Sequence, residues 1–309
     1  MSGFYVRHLK SSYARKTAPE IEEKLLYPTV AENGKSVFVF QASMGHHLGD
    51  YLAATYAVLR DRPDIFYYEV DVRAEAVGNR VTLQLPLLYS LEEIRTYKAL
   101  LNKAIRKIVA GAETYGDAWE KEKYIFEYLQ THTDYSDERA HECHNIIGPL
   151  LLGKGVCEGI SKAFAVLCHH VGIPAIVVTD EKHMWNMVNI EGDLVYVDAT
   201  YNTKAGGSVD YSYFNVTDNE MLMGRSKEID CIPACTTDRH SFYFREGTLF
   251  NSPRELKFFL IGNVFKRRVY HVKLKSGSIE TVLHEASFFV PYNFQYIYNP
   301  KLNTAIIHI

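Results

Sequence analysis

The chain has 309 residues, 47% of them hydrophobic and 23% charged, with a formal net charge of −3. That content supports one large core or two modest ones, and the lack of a basic excess argues against a nucleic-acid partner. No apolar run reaches membrane-spanning length, and the basic N-terminal residues Arg7, Lys10, Arg15 and Lys16 are followed by no apolar export segment, so a cytoplasmic protein without a membrane partner is expected.

In chain order, residues 1–35 carry weak signals, with a helix expected only near Ala18–Leu26. Lys35–Gln41 (KSVFVFQ) predicts a strand. GHHLGDYLAATYAVLRDRPDIF predicts a helix through Leu59, stopped near Pro63. IFYYEVDVRAEAVGNRVTLQLPLLY predicts two strands joined at Gly78-Asn79. Ser90 and Glu93 form a capping box for a helix whose Ile94, Leu100, Leu101, Ile105 and Ile108 follow helical spacing, and Gly111 suits its end. AWEKEKYIFEYLQTHTDY is helical to about His132, and ECHNIIGPLLLGKG leads onward through small and turn residues. After Asn202 come a loop, a strand and a turn. A helix capped at Ser252 and a strand follow, and a hairpin around Asn299-Pro300 closes the chain. The plan is α+β, with antiparallel sheet.

Cysteine usage narrows the chemistry. The five cysteines (Cys143, Cys157, Cys168, Cys231, Cys235) are odd in number and predict free thiols. Cys231 and Cys235 have no second pair to complete a metal shell, and Cys168-His169-His170 cannot close one alone, so no metal and no other cofactor is expected. The 22 Tyr and 16 Phe point to aromatic-rich packing, with an aromatic-lined groove as the alternative use.

The informative stretch is Gly153–Asn202. Cys157 follows Gly-Lys-Gly-Val and opens a segment in which Ile160, Phe164, Leu167 and Val171 form one helical stripe. A cysteine at a helix N-terminus meets unpaired N–H groups that favour the thiolate, and the flanking glycines leave room for a substrate chain. The same position also suits a small buried hydrophobe ahead of a core helix. Ile173–Asp180 predicts a buried strand. HMWNMVNI and LVYVDAT form a hairpin about the turn EGD, which brings His183 near Asp198, directly or diagonally. An Asp so placed can orient the imidazole, whose other nitrogen takes the thiol proton, and pairing with His183 offsets the cost of burying the carboxylate.

GKGVCEGISKAF, HMWNMVNI and VYVDATYN, in the order Cys, His, Asp, resemble the transglutaminase-like superfamily of papain-like fold, in its bacterial form. The close similarity spans about residues 120–202. EKYIFEYLQTHTDY resembles the helix and Tyr that precede the nucleophile in bacterial members, and DRPDIFYYEVD a segment N-terminal to the domain. The resemblance implies Cys157 as nucleophile, His183 as general base and acid, and Asp198 as orienter. It also implies Trp185 packed beside the His, Asn186 tying backbone, and the Cys157 N–H as an oxyanion donor. Tyr135, His144 and Asn145 are candidates for support of the site. No calcium-binding segment of the animal transglutaminases and no zinc-ribbon cysteines of the peptide N-glycanases stand in the sequence. The arylamine N-acetyltransferases carry the triad nearer the N-terminus with other flanking motifs.

Three regions follow: an N-terminal α/β segment 1–112, a catalytic core 113–240 and a small C-terminal α/β extension 241–309. The expected activity is cysteine hydrolysis of peptide or peptide-like amides through a thioester, with a peptide or protein substrate. Amine transfer to glutamine and a non-catalytic binding role are the alternatives.

Overall fold

The computed structural model describes residues 3–30, 34–42, 48–136, 140–201, 203–223, 227, 232–264, 266, 268–290 and 294–309. Cys231 lies outside them. The N-terminus departs from the sequence reading. A one-turn helix α1 (Phe4–Arg7) precedes a 15-residue helix α2 (Ser12–Leu26). Ser11 caps α2 by accepting the Ala14 N–H at 3.2 Å. Ala14, Ala18, Ile21 and Leu25 recur at helical spacing and are all buried, so α2 is part of the core rather than a loose lead-in.

Next come β1 (Lys35–Gln41), helix α3 (Leu48–Asp61), β2 (Arg73–Val77) and β3 (Arg80–Pro86). The strands form an antiparallel sheet in the order β1-β3-β2, turning between β2 and β3 at Gly78, whose φ of 62° suits glycine. Helix α4 (Leu91–Ala112) starts at the Ser90–Glu93 capping box, with both hydrogen bonds present. Helix α5 (Ala118–His132) starts at Asp117, which accepts the Glu120 N–H at 2.8 Å.

Two short parallel strands, β4 (Asp134–Tyr135) and β5 (Lys154–Gly155), bracket irregular turns and lead into α6 (Cys157–His170). The central antiparallel sheet follows: β6 (Ala175–Thr179), β7 (Met184–Ile190), β8 (Asp193–Val197) and β9 (Phe214–Val216), in that order. Strict alternation would bury one face of β7 only. Both faces are buried, because α5 and α6 cover one side while Trp185, Met187 and Tyr196 join a second cluster with Phe4 and Tyr5. Ile160, Phe164 and Leu167 of α6 are fully buried against the sheet, each worth about 1.5–3 kcal/mol relative to exposure.

The remaining elements are α7 (Asp218–Leu222), α8 (Phe242–Arg245), β10 (Leu249–Phe250), α9 (Pro253–Asn263), β11 (Val269–Leu274), α10 (Ile279–Ala286), β12 (Gln295–Asn299) and β13 (Thr304–His308). The last four strands form a sheet in the order β10-β11-β13-β12. Ser252 caps α9, and α10 was not foreseen from sequence. One hydrophobic cluster runs from Ala14 to Tyr243, and a separate one holds residues from Phe250 to Ile307. The architecture is α+β. No described helix is long and apolar enough to cross a membrane.

Candidate active site

Cys157 is the first residue of α6 and is half-buried. The N-cap, Val156, has no side-chain acceptor for the first-turn N–H groups. The sulfur accepts backbone N–H groups of Met184 and Glu158 and is hydrogen-bonded to the His183 ring. Burial pushes the thiol pKa up. The hydrogen bond and charge of His183, with the two N–H donors, outweigh it and hold the thiol below its ordinary value. The other described cysteines differ: Cys143 is buried, and burial pushes Cys168 well up and Cys235 up to about 12.

Close packing of the chain on itself, not open space, explains Gly155 and Gly159 beside the thiol. A Cβ on Gly159 would stand 2.3 Å from the Cys143 carbonyl oxygen, and one on Gly155 would stand 2.9 Å from the Pro149 ring. The Val156 N–H also donates to Cys143 O at 3.1 Å. Glycine thus lets the first turn of α6 sit directly on the 143–149 segment, and that fixes the sulfur. The expected role of these glycines as clearance for a substrate gives way to this close approach.

His183 lies immediately before β7. Asp180 Oδ1 accepts the N–H of Lys182 at 2.8 Å and of His183 at 2.7 Å, and the Asp180 N–H donates to His183 O at 3.0 Å. This closed turn fixes where the imidazole starts. The β7–β8 hairpin turns through Glu191 and Gly192, both with positive φ (53° and 94°), the geometry that matches strand twist in a two-residue hairpin loop. The register pairs Ile190 with Asp193 and Asn186 with Val197. Continued, it sets Asp198 across from Trp185 and diagonal to His183. His183 Nε2 is 2.7 Å from Asp198 Oδ2.

Asp198 is buried, and its second oxygen accepts both the N–H (2.9 Å) and the hydroxyl of Thr200. Burial alone would lower the pKa of His183. Hydrogen bonds and charge from Asp198 and Cys157 reverse that and push it up to about 10. Trp185 is fully buried with its ring 6.1 Å from that of His183, the two planes 24° apart. Asn186 is fully buried and donates from Nδ2 to Ser161 O (2.9 Å) and Ile176 O (3.2 Å), tying α6 to β6 and β7. Ser161 Oγ donates to Met184 O at 3.0 Å. Sequence reasoning passed over Thr200, Asp180 and Ser161. The Asp two residues before Thr200, and three before His183, was the available signal.

An open cleft of about 690 Å³ borders His183 and Asp198. Its walls include Tyr135, Thr200, Tyr201, Lys204, Tyr213 and the 299–301 turn between β12 and β13. Tyr135 is 47% exposed and sits in β4, one strand from the Cys157 loop. Cys157 is joined to the cleft through His183 rather than lining it. His144 and Asn145 border a different, smaller pocket of about 180 Å³, which the segment 59–70 also lines. His144 Nδ1 is 3.0 Å from Glu158 Oε2. Asn145 is spent internally: Nδ2 donates to Tyr89 Oη and His141 O, both at 2.9 Å, and Oδ1 accepts the Ile147 N–H at 2.8 Å. Among the described residues no group of three or more His, Cys, Asp or Glu side chains could hold a metal ion.

Residues 102–202 match the family model of the transglutaminase-like superfamily. No curated protein matches the chain. Among solved structures, a TGase shares 12% identity over 78% of this chain and 74% of that one, at a TM-score of 0.33. A candidate cysteine protease from Cytophaga hutchinsonii shares 11% identity over 58% and 71% of the two chains, with a TM-score of 0.28. A candidate protease from Parabacteroides distasonis shares 10% over 78% and 61%, with a TM-score of 0.31.

Proposed function

Since the chain belongs, through residues 102–202, to the transglutaminase-like superfamily, we propose that it is a cysteine-nucleophile enzyme that hydrolyses peptide or peptide-like amides through a thioester. The observation that carries this reading is the hydrogen-bonded series Cys157–His183–Asp198 beside an open cleft. A thiol held below its ordinary value and an imidazole pushed up to about 10 are ionised together in the range between them, as the thiolate and imidazolium needed for attack and for protonation of an amine.

The steps follow from those charges. The Cys157 thiolate adds to the amide carbonyl carbon, and the oxygen takes the negative charge. The N–H of Cys157, at the uncapped start of α6, is the donor in reach of that oxygen. The oxyanion collapses, the C–N bond breaks, and the His183 imidazolium gives its proton to the departing amine. His183, now neutral, takes a proton from water as that water attacks the thioester. The acid leaves, and the proton on His183 restores the ion pair. Asp198 accepts from Nε2 throughout and leaves the other nitrogen facing sulfur. Trp185 walls one side of the ring, and Tyr135 flanks the cleft. Asn186 acts only through the placement of α6 and β7. His144 and Asn145 border another pocket and serve the segment on which α6 sits rather than the cleft. An amine in place of the water converts the same intermediate to an amide.

The test is acyl-enzyme mass spectrometry of the purified protein against a library of peptide amides, with the released acid and amine identified. An adduct on Cys157, absent from Cys157→Ala, with free acid as product supports hydrolysis. A new amide as product assigns amine transfer instead. If Cys157 alkylates with iodoacetamide at neutral pH no faster than Cys168, the thiol is not activated and a binding role replaces the enzyme.

A further inference from the structure

The cleft beside His183 carries cationic and amide donors that the hydrolytic steps leave unused. Lys204 comes from the loop after β8 and Lys301 from the turn between β12 and β13, so two lysines border the cleft from separate parts of the chain. Both lysines are exposed, and among the described residues neither forms an ion pair. Of the two carboxylates of the cleft, Asp198 is bound to His183 and Thr200, and Asp134 Oδ1 accepts the Ala205 N–H at 3.0 Å.

Asn299 supplies an independent sign. It borders the same cleft and is 5% exposed. Its Oδ1 accepts the N–H of Lys301 (3.0 Å) and of Leu302 (3.3 Å), which fixes the orientation of the amide. Nδ2 is then left covered and without an acceptor among the described residues. A buried donor with no acceptor is costly, and an anionic oxygen beside the 299–301 turn would satisfy it.

We propose that Lys204, Lys301 and Asn299 form a carboxylate subsite of the cleft, so that the preferred substrates carry a carboxylate near the scissile amide, either at a chain end or on an acidic side chain. The inference rests on the enzymatic reading above and gives the C-terminal hairpin a role in specificity. Carboxylate–ammonium hydrogen bonds are stronger than neutral ones, and a wall open to water weakens them.

The experiment uses matched alkylating probes on the full chain: N-iodoacetylglycine against its carboxamide, and N-iodoacetylglutamic acid 1-amide against the glutamine amide. The readout is the ratio of Cys157 alkylation rates, acid over amide. A ratio of about tenfold is expected in one arm on the natural protein, and that arm names the source of the carboxylate. In Lys204→Gln/Lys301→Gln, and separately in Asn299→Asp, the ratio should fall towards one. The amide probe in each variant is the internal reference, and it exposes a misfolded protein. A ratio near one on the natural protein, or one that survives both variants, overturns the subsite. Binding of N-acetylglycinate and N-acetylglycinamide to Cys157→Ala, followed by saturation-transfer NMR, separates the two readings. A preference for the acid there, with a thiol that alkylates no faster than Cys168, keeps the subsite and removes the enzyme. No preference there, with a fast thiol, does the reverse.

Discussion

The β7–β8 register, carried one step past its last pair Asn186–Val197, sets Asp198 opposite Trp185, yet the Asp198 carboxylate bonds to His183, one step along the diagonal, at 2.7 Å. The diagonal leaves the other carboxylate oxygen free for Thr200, which donates both N–H and hydroxyl. Thr200 therefore sets the angle at which Asp198 meets the imidazole. Thr200→Val keeps the N–H bond and loses the hydroxyl. It should slow turnover several-fold, whereas Asp198→Asn should slow it by about a hundredfold or more. Steady-state kinetics on the two variants, with KM little changed, is the check, and equal, small effects would place Asp198 in a structural role only.

The charge state of the pair makes a pH prediction. The thiol lies below its ordinary value and the imidazole is pushed up to about 10, so both groups are ionised in between. The raised imidazole stabilises the fold fully below the unfolded histidine value, and that contribution fades as pH rises through about 10. The lowered thiol contributes fully above its unfolded value, and that contribution fades as pH falls through its folded value. Iodoacetamide alkylation of Cys157 should accordingly rise at lower pH than that of an ordinary cysteine and level off before the pH at which a free thiol ionises. In Asp198→Asn the acid edge should move up, because the imidazolium that lowers the thiol loses its partner. A rate that climbs steadily to pH 9 in the natural protein would contradict the ion pair.

Gly159 offers a purely steric test of what positions the sulfur. With the Cys143 carbonyl 2.3 Å from where a Cβ would stand, Gly159→Ala must push α6 off the 143–145 segment. The displacement should cost about 1–3 kcal/mol and separate Cys157 from the Met184 N–H. Urea denaturation reads the first effect. Loss of selective alkylation at neutral pH reads the second. Gly172, with open space around its Cβ position but a positive φ of 77°, is the control: Gly172→Ala should cost stability through backbone strain alone and leave alkylation of Cys157 intact.

The hairpin contact between His183 and Asp198 was legible because a two-residue periodicity about a short turn fixes which side chains share a face. The start of α6 was legible for a similar reason, since Ile160, Phe164 and Leu167 mark one stripe. The sequence signals place a helix only near Ala18–Leu26, whereas α2 begins at Ser12 and takes Pro19 into its interior. His144 and Asn145 were singled out for nearness to Cys157 along the chain, but the irregular turns from 141 to 152 carry them to a pocket shared with segment 59–70. The wall built by Asn299 and Lys301 depends on a contact across about a hundred residues of sequence, for which no local periodicity exists.

Glu122 is a buried acid that the chemistry does not use. It lies wholly inside the α5 face of the core, with Asn215 Nδ2 donating to Oε2 at 2.8 Å and Oε1 without a partner among the described residues. Burial outweighs that hydrogen bond and pushes its pKa up to about 8, so the folded protein holds a proton there that the unfolded chain releases above about 4.5. The folded state thus binds more protons between those values, and its stability falls as pH rises from about 4.5 to about 8 and then levels off. Glu122→Gln removes the titration while keeping the shape and an acceptor for Asn215. Its melting temperature should match the natural protein near pH 5 and exceed it at pH 8.5. Thermal unfolding at the two pH values decides the point: a variant that is less stable at both would show that Glu122 is ionised in the fold and held by its neighbours as a charge.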